Sequence, residues 1–311
     1  MSDRPLLVVN PTSAGGQTGR SFAAMRKTIE ARLGDVDVEL TRSGGHAADI
    51  AERAASESRP YVVAVGGDGT FSETVNGVLR AKTPCPVAMI GAGTGGDLRK
   101  TLGFEHRLDR YLDAIASGET RKLDVGRATF VGRDGQTKNH WFVNILSAGM
   151  GGLVDQYVAT GSRLLGGTAA YFMASTKALL RVKRGNLVCE VTYQGGTATK
   201  RFTSYMIAIC NGRYFGSGMH VAPMAKVDDG IFEVVSLDAP NKVAFATSSQ
   251  RIYDGKHLDA KGTLHFPCEK IRIDVENEEA RPTFLLDVDG EPLGGLPLEI
   301  EVVRGGVTLR G

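Results

Sequence analysis

Tyr61 to Val65 is an unbroken apolar run that stops on Gly66-Gly67-Asp68-Gly69-Thr70, after which residues 70 to 80 take a helical spacing. A continuous apolar run of this length suits a strand buried on both faces, as in a parallel sheet covered by helices. Glycines allow positive φ and close backbone approach. Successive N–H groups can then converge on an anion at the positive end of the following helix, which makes this loop a candidate phosphate cradle. A carboxylate inside such a cradle would repel bare phosphate, so Asp68 is expected to hold Mg²⁺ or to accept a proton from an attacking hydroxyl. The alternative is a tight turn in which Asp68 only caps the helix.

The preceding residues repeat the plan. Leu6 to Val9 is a short apolar run ending in Asn10-Pro11-Thr12-Ser13-Ala14-Gly15-Gly16, and Phe22, Met25, Ile29 and Leu33 then recur at helical intervals over 20 to 33. Val36, Val38 and Leu40 alternate as a strand, 46 to 57 is Ala-rich and helical, Val87 to Ile90 is a second buried strand, and 107 to 117 is helical. This β-α-β-α order implies an α/β domain with a doubly wound parallel sheet. Loops 10–16 and 66–70 would both emerge at the carboxyl edge of that sheet, where nucleotides bind. Alone, the first loop reads equally well as a plain turn; no Walker A sequence occurs. Gly91 to Asp97 has a dinucleotide-type glycine spacing, but Asp113 falls in a helical pattern and Asp124 within a strand, where neither supplies the acidic partner. It is read as a third nucleotide loop, with Thr94 offering a hydroxyl.

After Leu123 the texture changes to alternating segments broken at Arg133-Asp134-Gly135 and Gln194-Gly195-Gly196, which predicts a mostly antiparallel second domain. One helical insertion, Thr168 to Val182, ends beside Arg181, Lys183 and Arg184. It reads either as a helix packed on a sheet or as a basic helix facing a membrane. The 311 residues suffice for two domains. With 37 Lys and Arg against 35 Asp and Glu, whole-chain charge gives no reason to expect nucleic acid. Cys85, Cys189, Cys210 and Cys268 are scattered, His265 and Cys268 lack metal-binding companions, and no run approaches the roughly 20 apolar residues of a membrane span. A cytoplasmic protein is expected.

Taken together, these motifs resemble the diacylglycerol kinase catalytic family, which includes bacterial lipid kinases and sphingosine kinases. NPTSAGG at 10 to 16 and GGDGT at 66 to 70 look like its paired nucleotide loops, and Thr41 before Gly44-Gly45-His46-Ala47 resembles an intervening ATP contact. Gly93-Thr94-Gly95-Gly96-Asp97 is similar to a family segment that carries asparagine where Gly96 stands. Residues 211 to 230, NGRYFGSGMHVAPMAKVDDG, are similar to a long family segment, with Ser217 in place of one glycine. The resemblance implies ATP bound by Asn10, Pro11, Thr12, Ser13, Ala14, Thr41, Gly66, Gly67, Asp68, Gly69, Thr70 and Thr94. It implies a structural Mg²⁺ at Lys226, Asp229 and Ile231, through the Asp side chain and backbone oxygens. Asp289-Gly290-Glu291 resembles the motif whose glutamate accepts the proton of the lipid hydroxyl, so Glu291 and Asp68 are the expected catalytic pair.

The implied architecture is that of NAD kinase and diacylglycerol kinase: a nucleotide-binding domain over 1–126, a β-sandwich lipid-substrate domain over 127–296, a returning segment over 297–311, and a cleft between the two domains. The implied partners are a membrane lipid and transient peripheral contact with a membrane surface; a homodimer is left open. Diacylglycerol is the default acceptor. Leu146-Ser147 with Gly151 and Asp155 is also similar to a sphingosine kinase pattern, and GGDGT occurs in NAD kinases. A non-catalytic lipid- or nucleotide-binding regulator is the alternative of a different class, motivated by Gly96 and by Gly151, where family members often carry aspartate.

Overall fold

The computed structural model of the protein describes residues 3–92, 96–132, 134–160 and 167–311. The chain forms two compact units, Met1–Val125 with Arg304–Gly311, and Gly126–Val303. Divisions drawn from sequence fall at residues 126 and 297; the compact units divide after Val125 and after Val303.

In the first unit the elements run β1 (Leu6–Val9), α1 (Gln17–Leu33), β2 (Asp37–Leu40), α2 (His46–Ser56), β3 (Val62–Gly66), α3 (Asp68–Ala81), β4 (Val87–Gly91), α4 (Asp97–Leu102) and α5 (Leu108–Ser117). The strands lie in the order β2-β1-β3-β4 and all pair in parallel. Val9 stands beside Leu40 and Val65, and Gly66 beside Gly91, so the strands end in line. Leu7, Val8, Val9, Val62, Val63, Val65, Val87 and Ala88 are fully buried, which is why these strands read as continuous apolar runs. Helix α2 buries Ala47, Ala48, Ala51, Ala54 and Ala55, and a Cβ on Gly77 of α3 would lie 2.1 Å from the Ala48 carbonyl oxygen. Small residues let these two helices touch backbone to backbone.

The end of the chain completes this unit. Leu309 pairs in parallel with Val87, the Gly305 N–H donates to the buried Asp124 at 2.7 Å, and Arg310 donates to the Ile115 carbonyl at 3.0 Å while lying over the Tyr61 ring.

The second unit is antiparallel. Its elements continue as β5 (Thr120–Gly132), which begins in the first unit, β6 (Thr137–Phe142), β7 (Ile145–Gly149), α6 (Met150–Thr160), α7 (Gly167–Arg181), β8 (Gly185–Tyr193), β9 (Gly196–Ser204), β10 (Met206–Cys210), β11 (Tyr214–Phe215), β12 (Met219–His220), β13 (Phe232–Leu237), α8 (Lys242–Ser249), β14 (Thr263–Cys268), β15 (Lys270–Val275), β16 (Leu285–Val288) and β17 (Glu291–Arg310). One path runs β14-β13-β10-β7-β16-β17, while β15 pairs with β17 and β8, β8 with β9, and β5 with β17 and β6. Leu146, Ala148, Ile207, Ile209, Phe232 and Val234 point into a core shared with Leu187, Ile271, Ile273 and Ile300. Their neighbours Ile145, Met206, Ala208 and Val235 face α6, α7 and α8 through Leu153, Ala174, Ala178 and Phe245. Strands β7, β10 and β13 are thus covered on both faces.

Where sequence predicts one helical insertion at 168 to 182, the structure has α7 there and two more helices, α6 and α8. Helix α6 opens on Met150-Gly151-Gly152, whose glycines answer to tertiary neighbours: a Cβ on Gly152 would stand 2.0 Å from the Leu285 carbonyl oxygen.

Candidate active site

In the order β2-β1-β3-β4, the connection from β1 leaves toward one edge and that from β3 toward the other, so the loops after β1 and β3 flank the topological switch point. Asn10 to Gly16 and Gly66 to Thr70 are those loops. The Asn10 side chain bridges them: its Oδ1 accepts from the Thr12 N–H at 3.0 Å and the Thr12 hydroxyl at 2.8 Å, and its Nδ2 donates to the Thr70 hydroxyl at 3.2 Å. Thr70 can reach it because residue 66 is glycine; a Cβ there would stand 2.4 Å from Thr70 Oγ1. Ala14, Gly15 and Gly16 have φ of 52°, 64° and 82°, a left-handed run of the kind glycine favours, and the Gly16 N–H closes the turn by donating to the Thr12 carbonyl at 3.0 Å. The Ser13 and Thr18 hydroxyls are 2.6 Å apart and tie this turn to α1. Thr41 continues the same edge, its N–H donating to the Val9 carbonyl at 2.8 Å.

Asp68 is the first residue of α3. Its Oδ2 accepts the Asp97 backbone N–H at 2.8 Å, whereas Oδ1 is buried and has no hydrogen-bond partner among the described residues. Burial pushes its carboxyl above the ordinary aspartate range; the Asp97 N–H opposes this, the Asp97 charge adds to it, and Arg99 and Lys100 oppose it. Buried polar atoms are normally satisfied, and an orphaned carboxylate oxygen marks where a cation belongs. Next to it, a Cβ on Gly69 would meet nothing within 4 Å. The residues present therefore fit a phosphate-bound Mg²⁺: a desolvated acceptor beside open backbone at a helix N-terminus. Thr94 lies outside the described residues. Gly96 has φ 66° and ψ 44°, a left-handed conformation that asparagine also adopts, but a Cβ there would stand 2.8 Å from Arg99 Nε, so an asparagine would require that side chain to move.

In the second unit, Asp289 and Gly290 are the two turn residues between β16 and β17, with φ of 51° and 91°, and Val288 pairs with Glu291. Asp289 is a scaffold: Oδ1 accepts from the Asn144 and Ile145 N–H groups at 3.0 and 2.9 Å, and Oδ2 from the Val143 N–H at 2.8 Å. Glu291, half-buried, opens β17 directly beyond this anchored turn. Beneath it, Asp287 Oδ1 accepts the Gly290 N–H at 2.7 Å and Oδ2 the Ser147 hydroxyl at 3.3 Å. Burial and the charge of Asp155 drive the Asp287 carboxyl far above its ordinary range, and burial raises Asp155, to which it is hydrogen-bonded. Sequence shows Ser147 and Asp155 only through the sphingosine kinase likeness, and gives no sign of Asp287.

Lys226, Asp229 and Ile231 lie on the turn that leads into β13; the Ile231 N–H donates to Asp229 Oδ1 at 3.3 Å, and Lys226 and Asp229 are exposed. No cluster of three or more His, Cys, Asp or Glu suited to a metal occurs among the described residues. This position offers one carboxylate together with backbone oxygens.

The first unit thus carries paired glycine-rich loops at a switch point, and the second, by itself, an acidic turn anchored by Asp289. Residues 4–128 match the diacylglycerol kinase catalytic domain, and residues 144–310 match the YegS C-terminal NAD kinase beta sandwich-like domain. Similar proteins include a diacylglycerol kinase of Bacillus subtilis (strain 168), 24% identical over 299 residues that cover 95% of this chain and 92% of that one. Another is a diacylglycerol kinase of Staphylococcus aureus (strain MRSA252), 25% identical over 297 residues, 96% of this chain and 89% of that one. The fold is shared with a diacylglycerol kinase structure from Bacillus anthracis str. Sterne, with a TM-score of 0.71 at 22% identity over 99% of this chain and 96% of that one. A yeast NADH kinase complexed with NADH superimposes with a TM-score of 0.53 at 12% identity, over 98% of this chain and 82% of that one. The chain belongs to the diacylglycerol kinase family, and it is a lipid kinase.

Proposed function

We propose that this kinase transfers the γ-phosphate of ATP to the hydroxyl of a membrane lipid, diacylglycerol, giving phosphatidic acid, and that it works from the cytoplasm in transient contact with a membrane surface. The observation that carries the reading is Asp68 Oδ1, buried and without a hydrogen-bond partner among the described residues, at the start of α3 beside Gly69, where an added Cβ meets nothing within 4 Å. The names of its relatives support the acceptor. No helix among the described residues is long and apolar enough to cross a membrane.

Asn10 to Ala14, Thr41 and Gly66 to Thr70 would hold the nucleotide, with Asp68 holding Mg²⁺. When bound, Mg²⁺ supplies charge neutralisation on the phosphate oxygens. A second, structural Mg²⁺ would sit on the turn of Lys226, Asp229 and Ile231. Glu291 accepts the proton as the lipid oxygen bonds to the γ-phosphorus; the bond from that phosphorus to the bridging oxygen breaks and ADP leaves. Asp289 and Asp287 hold the turn from which Glu291 projects, so most of the acceleration comes from positioning.

The test is transfer of label from radiolabelled ATP, with Mg²⁺, to mixed micelles carrying separately diacylglycerol, monoacylglycerol, sphingosine, ceramide, phosphatidylglycerol or a polyprenol, with NAD as a soluble acceptor. Label in diacylglycerol that disappears in Asp68→Ala is the expected result. Label confined to another lipid replaces the acceptor, and label only in NAD or in nothing overturns the proposal.

A further inference from the structure

Helix α7 divides its apolar residues between two sides. Ala174 and Ala178 belong to the core that also holds Met206, Ala208 and Val235, are 4% and 0% exposed, and Leu179 packs partly buried against the same core. Phe172, Met173 and Leu180 are instead exposed, at 72%, 56% and 73%. Val243, on α8, is 74% exposed, and its neighbour Lys242 donates to the Leu180 carbonyl at 2.6 Å, which places the two helices' exposed residues side by side. These four are the most exposed large apolar side chains among the described residues. Large apolar side chains gain from leaving water, so a helix that exposes Phe172, Met173 and Leu180 together presents a face suited to a covering partner.

The charge around this face says what covers it. From Gln156 to Cys189 the sequence contains no Asp or Glu. Lys183 and Arg184 are neutralised by Glu279 and Asp238, but Lys177 and Arg181 lie on the exposed side of α7 with Phe172 and Leu180. Lys177 is 4.2 Å from the centre of the Tyr157 ring, and Arg181 has no ion-pair partner among the described residues. Apolar side chains interleaved with unneutralised cations, without acids, match the two layers of an anionic bilayer: acyl chains for the former, headgroup phosphates for the latter.

We infer that the exposed face of α7, with Val243 of α8, is the surface by which this kinase docks on anionic lipid bilayers. The inference rests on the lipid-acceptor reading only for its purpose; the docking itself is measured without turnover. The experiment is cosedimentation of the full chain with vesicles of phosphatidylcholine alone and of phosphatidylcholine with phosphatidylglycerol, beside transfer to a short-chain diacylglycerol that dissolves as monomers.

Wild type is expected to sediment with the anionic vesicles, and less as salt rises. Lys177→Gln/Arg181→Gln should bind roughly 30-fold more weakly, at about 1 kcal/mol per basic residue. Phe172→Ser/Leu180→Ser should lose at least roughly ten-fold. Both variants should melt as wild type does and keep wild-type transfer to the soluble substrate. Unchanged vesicle binding in both variants overturns the inference, as does a wild type that binds no vesicle, or a concentration-dependent dimer that these substitutions dissolve. Loss of transfer to soluble substrate in wild type would count against the lipid-kinase proposal and leave the sedimentation result standing.

Discussion

Ser147 and Gly151 compete for one place: a Cβ on residue 151 would stand 2.2 Å from the Ser147 hydroxyl, which donates to Asp287 at 3.3 Å. Gly151→Ala should therefore push that hydroxyl away from a buried carboxyl. The expected cost is about 1–3 kcal/mol, read as a lowered urea midpoint at unchanged slope. Removing the obstacle as well, in Gly151→Ala/Ser147→Gly, should recover part of the loss, because the steric part vanishes while the missing hydrogen bond remains. A family-like aspartate at 151 has no room beside this serine.

The Asp155–Asp287 pair sets a pH dependence whose sign follows from its burial. Both carboxyls are raised above the aspartate value of 3.8, Asp287 by burial and then by the Asp155 charge, and Asp155 by burial against its hydrogen bond to Asp287. Groups raised in the folded state contribute stability that is present in full below the unfolded pKa and is lost as pH rises through the folded pKa. Asp289 adds negative charge and the Gly290 N–H relieves some of it. Asp155→Asn removes the like charge, so stability measured from acid toward neutral pH should fall less steeply than in wild type. An unchanged slope would remove the pair as its source.

The parallel half of the fold is legible in the sequence because Leu6–Val9, Val62–Val65 and Val87–Ile90 are apolar runs, the last two stopped by glycine and the first by Asn10-Pro11. A helix expected over 46 to 57 is found at His46–Ser56, and one over 107 to 117 at Leu108–Ser117. Helix α6 is hidden, since the reasons for Gly151 and Gly152 lie in Ser147 and the Leu285 backbone. Asp287 is hidden too. Within Leu285-Leu286-Asp287-Val288 it reads as the solvent side of a strand, and only the docking of α6 reveals that it is buried beside a second acid.

Gly69 separates a ligand role from a structural one. It lies in the first turn of α3, where an added Cβ meets nothing within 4 Å, so Gly69→Ala should leave the fold intact and stabilise it by up to about 1 kcal/mol. The same methyl group fills the space beside Asp68 that the proposal gives to phosphate. A higher melting temperature together with weaker ATP binding by calorimetry is the expected combination. Stabilisation with unchanged affinity would show that phosphate does not approach this backbone.

The two acids of Asp289-Gly290-Glu291 should fail in different ways. Asp289 accepts the Val143, Asn144 and Ile145 N–H groups, so Asp289→Ala strands three backbone donors at once. Hydrogen bonds to a charged group are worth about 1.5–3 kcal/mol each, and allowing for water that replaces part of them, the loss should still reach about 2–4 kcal/mol. Glu291 is half-buried at the start of β17, directly beyond this anchored turn. Glu291→Gln keeps its size and should change stability by less than about 1 kcal/mol. Without a proton acceptor, however, transfer to lipid should fall roughly 10²- to 10⁴-fold at saturating substrate, with KM for ATP little changed. Denaturation midpoints and kcat measured on both variants decide the matter. If Glu291→Gln turns over normally, the proton leaves by another route and the catalytic assignment falls. If Asp289→Ala is as stable as wild type, the turn does not depend on that carboxylate, and the account of how Glu291 is positioned falls instead.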